Sequence, residues 1–531
     1  MINASTKSNI LSGFLVFLIA LPLCLGISKA SGFPPIAGIY TAIIGGLLVT
    51  FLSKAPMTIK GPAAGLIAIA IASVEELGSV DLGKLDLFLG YKLTLAVVVV
   101  SGILQILMGI LKFGKLADIF PSSVIRGMLA AIGIIIISKQ LPVLFGVIPE
   151  AKSPFGLLAE VPKMIMNMNP KVATIGLTSI ALLFIHPLVK NDKIQKLPAP
   201  LLVLLLAIPL GFIFHLSSQH SYTFASTEFH VDPSQFLVAL PESFLSGITF
   251  PDFSKVFSYA SIKYIIMFAL VGSIESVLSA KAVDALDPEG REANQNEDLI
   301  AVGIGNTIAG FIGGLPMISE IVRSSANINA GAKDRMSNFF HGLFLFLFVL
   351  LAAAVIKTIP NTALAAMLVY TGFKLASPIE IKKIITIGID QFILFLTTLI
   401  VTLLTDLLIG VGAGIVMKLI IQLVKGVSVS KILTLKLEVT KDVNSTVIKV
   451  SGVATFLNYL KFKSVMDNQN KNENIELDFS NASFIDHTFL NNINAMKSKF
   501  EKEGGSLIVK GLEQHKAPSD HELASRSLIS K

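Results

Sequence analysis

The chain has 531 residues, 53% of them hydrophobic and only 15% charged, with a mean hydropathy of +0.74. Soluble proteins carry roughly a quarter charged residues, so a wholly soluble fold is excluded. The net charge of +7 reads as Lys and Arg in cytoplasmic loops rather than as affinity for nucleic acid, and the single cysteine, Cys24, excludes an intramolecular disulfide framework. Charge is unevenly spread, with 53 Asp, Glu, Lys and Arg in positions 1–425 and 26 in the last 106. That shift divides the chain into a membrane domain, 1–425, and a soluble tail.

A spanning helix needs about 20 mostly apolar residues. In chain order this predicts spans near 10–28, 36–53, 92–112, 119–138, 171–189, 199–216, 262–280, 340–357, 361–376, 390–407 and 408–425. Three more segments, 58–74, 299–314 and 317–329, are shorter or interrupted, giving about fourteen in all. With the N-terminus inside, the cytoplasmic connections collect Lys112, Lys115, Lys190, Lys193, Lys196, Lys333, Arg335, Lys382 and Lys383. The opposite side receives Glu75, Glu76, Asp81, Asp86, Glu228, Asp232, Glu242 and Asp252. Basic loops inside and an even number of spans put both termini in the cytoplasm.

Two interrupted helices are the most informative feature. Thr58-Ile59-Lys60-Gly61-Pro62-Ala63-Ala64-Gly65 opens one short apolar helix, and Gly313-Gly314-Leu315-Pro316-Met317-Ile318-Ser319 opens another. Matched Gly/Pro breaks in two halves of a membrane chain point to an inverted repeat with a binding site at the breaks. The plainer alternative is a pair of kinked helices with no ligand.

Ionisable residues inside spans are functional candidates by default. Glu275 has about a dozen apolar neighbours and reads as a proton or sodium site, with Ser279 one turn on adding a hydroxyl; the alternative is a carboxylate that pairs with another helix. Glu320 and Arg323, three residues apart in the second short helix, are expected to share a face and pair. Arg323 and the free amides of a helix N-terminus would together cradle an oxyanion, whereas a neutralising Glu320 would leave only a structural pair. No Walker loop, HExxH, CxxC pair or nucleophile elbow is present, so no enzyme is expected and transport would be driven by an ion or exchange gradient.

In the tail, Thr446–Val450, Ile475–Phe479 and Leu507–Val509 read as strands, with helices over Phe456–Met466 and Thr488–Phe500 and a stop at Gly504-Gly505. This predicts a small α/β domain over 430–515. Residues 516–531 turn polar and are expected to be disordered.

At these residues the sequence resembles the sulfate permease (SulP) family of anion transporters. The resemblance is carried by Leu21-Pro22, Ser31-Gly32-Phe33-Pro34-Pro35, Gly38-Ile39-Tyr40, Gly61-Pro62-Ala63-Ala64 and Pro121 to Gly127. It continues through Gly313 to Pro316 and Arg323 to Asn327, followed by Ala330-Gly331-Ala332. It implies a polytopic α-helical membrane protein of seven-plus-seven inverted repeats with core and gate domains, often a homodimer. It further implies substrate-facing amides at Ala63, Ala64, Glu320 and Ile321, with Ser319 and Arg323 beside them and Leu23 and Gly26 lining the pocket. Glu275 would be the cation-coupling acid, holding sodium or a proton, with no other metal or cofactor. Glu320 departs from the family pattern, where small or uncharged residues are usual. The tail resembles the STAS domain, a regulatory module with cytoplasmic protein partners, and Leu477 to Ser480 leading to Phe484-Ile485-Asp486-His487-Thr488 puts Thr488 at the phosphorylatable position. The expected function is secondary transport of a small oxyanion of the sulfate or bicarbonate class, coupled to sodium or protons, in the plasma or inner membrane. An exchanger or dicarboxylate carrier and a non-transporting sensor are the alternatives.

Overall fold

Long apolar runs without a polar face form helices that suit a bilayer, because only hydrogen bonds closed within each helix satisfy the backbone there. The computed structural model describes residues 4–80, 84–195, 197–441, 446–470, 472–502 and 504–529; Asp81 and Lys196, assigned above to opposite sides, lie outside them. Eight helices among the described residues are long and apolar enough to cross a membrane, and three more apolar helices are shorter.

The chain packs as two units. The first comprises 1–114 with 132–375, the second 115–131 with 376–531. The packing boundary after Leu375 therefore lies well before the compositional one near Lys425. Composition records where charge density changes, whereas the last two apolar helices pack with the tail.

In the first unit, α1 (Ala4–Ala30), α2 (Ile36–Ile44, continued by a π-turn over Gly45–Val49) and β1 (Ile59–Pro62) lead into α3 (Ile67–Leu77) and α4 (Leu87–Ile110). Helix α5 (Ser122–Phe145) follows, its part up to Ala131 belonging to the second unit, then α6 (Pro170–Ile185) and α7 (Ala199–Ile213). After a β-hairpin over His220–Phe224 and Thr227–Val231 come α8 (Tyr259–Leu286), α9 (Gln295–Phe311), β2 (Met317–Glu320), α10 (Ile321–Asn329), α11 (Met336–Ile356) and α12 (Asn361–Leu375). Its main core joins α1, α2, α6, α7, α11 and α12 through Phe17, Ile39, Ile175, Val203, Leu345 and Leu364. Helices α4 and α9 approach to backbone contact at Gly102 and Gly303, where an added Cβ would stand 2.8 and 2.7 Å from the facing carbonyl oxygen.

Both interrupted segments start as strands. β1 and β2 pair antiparallel, Ile59 opposite Glu320 and Pro62 opposite Met317, and each then turns into a short helix. The pairing satisfies backbone groups that neither broken helix can satisfy alone.

The second unit holds α13 (Pro378–Ile387), α14 (Ile389–Leu404), α15 (Leu407–Val424) and a sheet. Its elements are β3 (Leu435–Lys441), β4 (Thr446–Ala454), α16 (Tyr459–Met466), β5 (Asn474–Ile485), α17 (His487–Lys502), β6 (Ser506–Lys510), β7 (His515–Lys516) and β8 (Arg526–Leu528). The order is β7-β8-β5-β4-β3 with β6 also on β5; β4 and β6 run parallel to β5, the other pairs antiparallel. Phe462, Leu477, Phe479 and Phe489 form its core. The stretch expected to be disordered instead adds β8 to the edge of β5, and Ser525 is 3% exposed. Its polar residues are consumed by specific contacts: Ser519 donates to the Ile387 carbonyl and Ser525 to Asp390 (2.6 and 2.7 Å).

Candidate functional site

The crossing of β1 and β2 gathers the polar side chains of the first unit. Lys60 and Ser319 lie opposite each other in the register. The Lys60 Nζ donates to Asp298 Oδ1 and Ser319 Oγ, both at 2.7 Å, and to Thr58 Oγ1. Asp298 also accepts from Ser53 (2.5 Å) and Ser319 (2.7 Å). All three ammonium protons are thereby used. The Ser319 amide donates to Ser276 on α8 (3.1 Å) and the Ala63 amide to the Pro316 carbonyl (3.3 Å). Ser319 and the Ala63 amide, implied above as substrate contacts, are thus hydrogen-bonded within the crossing, where broken helix ends must satisfy their own polar groups.

Beside this network lie groups of the opposite kind. Arg323 is 1% exposed; its Nη1 donates to the Cys24 sulfur (3.6 Å), while Nε and Nη2 have no partner among the described residues. Glu275 Oε2 and Glu320 Oε1 are buried and unpartnered as well, as are both ring nitrogens of His341 on α11. The expected Glu320–Arg323 pair is not made. Glu320 has extended backbone (φ −96°, ψ 119°) at the end of β2, so helical three-residue spacing does not apply to it. Its carboxylate instead lies near the Ala64 amide across the crossing. Two glycines let the charged groups in: a Cβ at Gly61 would stand 2.2 Å from Arg323 Nη1, and one at Gly65 1.6 Å from Glu275 Oε1. Arg323, Glu275 and Glu320 thus converge on the five residues Gly61–Gly65.

The remaining expected residues spread out. Leu23 is half-buried on α1, and Gly26 packs against Leu364 and Leu368 of α12. Ser279 is half-buried four residues beyond Glu275, and Ile321 opens α10 with its side chain 39% exposed. In the second unit Thr488 is 2% exposed and its hydroxyl accepts from Lys418 Nζ of α15 (2.8 Å). Lys418 also pairs with Asp486 (3.1 Å), and Asp486 accepts from Gln422, Phe456 N and Phe489 N. Sequence reading passed over Lys60, Asp298 and Lys418, although a charge within or beside an apolar run was the available signal.

This is a membrane-spanning α-helical transporter fold, with two half-helices starting from one crossing. The chain belongs to the sulfate permease family, whose model matches residues 6–398. It is similar to YvdB of Bacillus subtilis (strain 168), at 23% identity over 516 residues covering 96% of this chain and 92% of that one. It is also similar to the bicarbonate transporter BicA of Picosynechococcus sp., at 25% identity over 409 residues covering 77% and 69%. Among solved structures, the transmembrane domain of a cyanobacterium bicarbonate transporter BicA matches with a TM-score of 0.63 at 22% identity, over 78% of this chain and 98% of that one. The overall structure of SLC26A9 matches with a TM-score of 0.68 at 15% identity, over 95% and 84%.

Proposed function

We propose that the chain is a secondary transporter of a small inorganic oxyanion of the sulfate or bicarbonate class, working by alternating access and driven by sodium or protons. The observation that carries this reading is Arg323, a buried guanidinium with two unpartnered donors beside the starts of two short helices. Family membership and the named activity of BicA support the substrate class. Glu275, with Ser279 near it, is the coupling group in this reading, and the spans number about fourteen. Both termini lie in the cytoplasm, two copies form a dimer, and residues 430–515 are a STAS domain with Thr488 as its regulatory position.

Uptake of labelled sulfate, bicarbonate, chloride and fumarate into proteoliposomes, with and without sodium and pH gradients, tests this directly. Gradient-driven accumulation of one oxyanion is the expected result. Exchange without a gradient requirement would make the chain an exchanger, and fumarate uptake a dicarboxylate carrier. Absence of all uptake would favour a sensor signalling through the tail, a reading supported by the buried attachment of Asp486 and Thr488 to Lys418.

A further inference from the structure

The groups left over at the crossing are of two kinds. Arg323 spends Nη1 on Cys24 and keeps Nε and Nη2 free, which form one edge of the guanidinium. That edge takes two oxygens of an oxyanion side by side. Glu275 Oε2 and Glu320 Oε1 have the reverse need, for donors. Buried donors and acceptors left unpaired are costly, so both sets call for one ligand that accepts on one side and donates on the other. The charges agree. Lys60 is spent on Asp298, so one arginine faces two glutamates, and a dianion meets twice the repulsion a monoanion meets. The Glu320 carboxylate also lies near the Ala64 amide. Glu320 Oε1 is already without a donor, so a ligand with none to offer leaves it buried and bare.

We propose that the site selects a singly charged oxyanion carrying its own hydroxyl. Two of its oxygens lie on Arg323 Nε and Nη2, and its O–H donates to Glu320 or Glu275. Fully deprotonated dianions such as sulfate, and donor-less monoanions such as nitrate, are disfavoured. The proposal rests on the reading of this chain as an anion carrier and narrows its substrate class.

The test is equilibrium binding of radiolabelled bicarbonate and sulfate to the purified full-length protein at pH 8, with nitrate as competitor. Bicarbonate should bind at least roughly tenfold more tightly than either, and Glu320→Gln should cut its preference over sulfate by about tenfold. Glu275→Gln is read in the same way, the Asp variant standing in for either Gln variant that does not fold, and the position that loses the preference marks the acceptor. Equal or tighter sulfate binding, a preference unchanged by substitution at both Glu320 and Glu275, or no binding of any of the three overturns the proposal. Uptake by proteoliposomes is measured alongside. Selective binding without uptake sinks the transport reading and leaves the selectivity standing; preferential sulfate uptake does the opposite.

Discussion

Replacing Asp298 with Asn removes one charge from a network in which every donor of Lys60 is used. The two side chains are 1% and 3% exposed and 2.7 Å apart, so water cannot compensate either one. Breaking a buried pair by removing one partner costs about 3–5 kcal/mol, because the survivor is left charged and dry. The upper part of that range applies here: Ser53 and Ser319 also lose a charged acceptor, and the new amide brings donors into a place lined by donors. In a unit of this size the loss lowers the midpoint of thermal unfolding by roughly 5–10 °C.

Cys24 is the chain's single cysteine and is buried, so a thiol-reactive fluorophore follows unfolding of the detergent-solubilised full chain on heating. Lys60→Met combined with Asp298→Leu should recover most of the midpoint, since a buried pair replaced by apolar side chains is often neutral or stabilising by ~1–4 kcal/mol. Anion binding should stay impaired in the double variant, because Ser319 would lose the partners that fix the register of β2 against β1. An Asp298→Asn midpoint within a degree of the wild type, or a double variant less stable than the single, would refute the reasoning.

Glu275→Gln should abolish gradient-driven uptake while leaving a folded, inserted protein, checked by flux and by gel filtration. Gly65→Ala should displace the Glu275 carboxylate, which lies where the Cβ would go, and cut uptake at least about tenfold with little loss of expression. Truncation at residue 430 strands Lys418 without Asp486 and Thr488, while Lys425 keeps Asp390; adding Lys418→Met should raise the yield of inserted truncated protein, read by fluorescence size exclusion. Burial pushes the His487 imidazole down to about 4, while its unfolded value is about 6.5. The unfolded chain therefore binds the extra proton first, and the tail domain loses up to about 3 kcal/mol as pH falls from about 6.5 to 4, with no effect above that window. Hydrogen exchange of the tail in the full chain should show this destabilisation, and His487→Gln should remove it.

Much of the fold was legible because hydropathy and turn chemistry are local. The eleven uninterrupted runs read from the sequence all fall on helices, their ends moved by a few residues at caps such as Asp86, Ser258 and Asp406. The Gly/Pro breaks were legible too, since a chain that cannot continue a helix must satisfy its backbone otherwise. That they do so by pairing with each other was not, because Ile59 and Glu320 are 261 positions apart and short strands leave no periodicity to read. The same holds for β7 and β8, where two and three residues add to an edge in a stretch with a solvated composition.

The site was legible in its residues and not in their partners. Arg323, Glu275 and Glu320 stood out because each is a charge in an apolar context, which composition alone reveals. Pairing is a matter of backbone direction, and there the spacing misled: Glu320 ends a strand and Arg323 sits in the following helix, so their side chains leave the backbone on different courses. Lys60 shows the converse. It sits in the quoted motif between Ile59 and Gly61, yet its charge is cancelled by Asp298 from a distant helix. Cancellation is what separates the two groups chemically. A charge whose hydrogen bonds all close within the protein holds the crossing, and one whose bonds stay open must be completed from outside. Sequence lists both alike, and only the geometry tells that Lys60 is closed on Asp298 while Arg323 keeps two donors open.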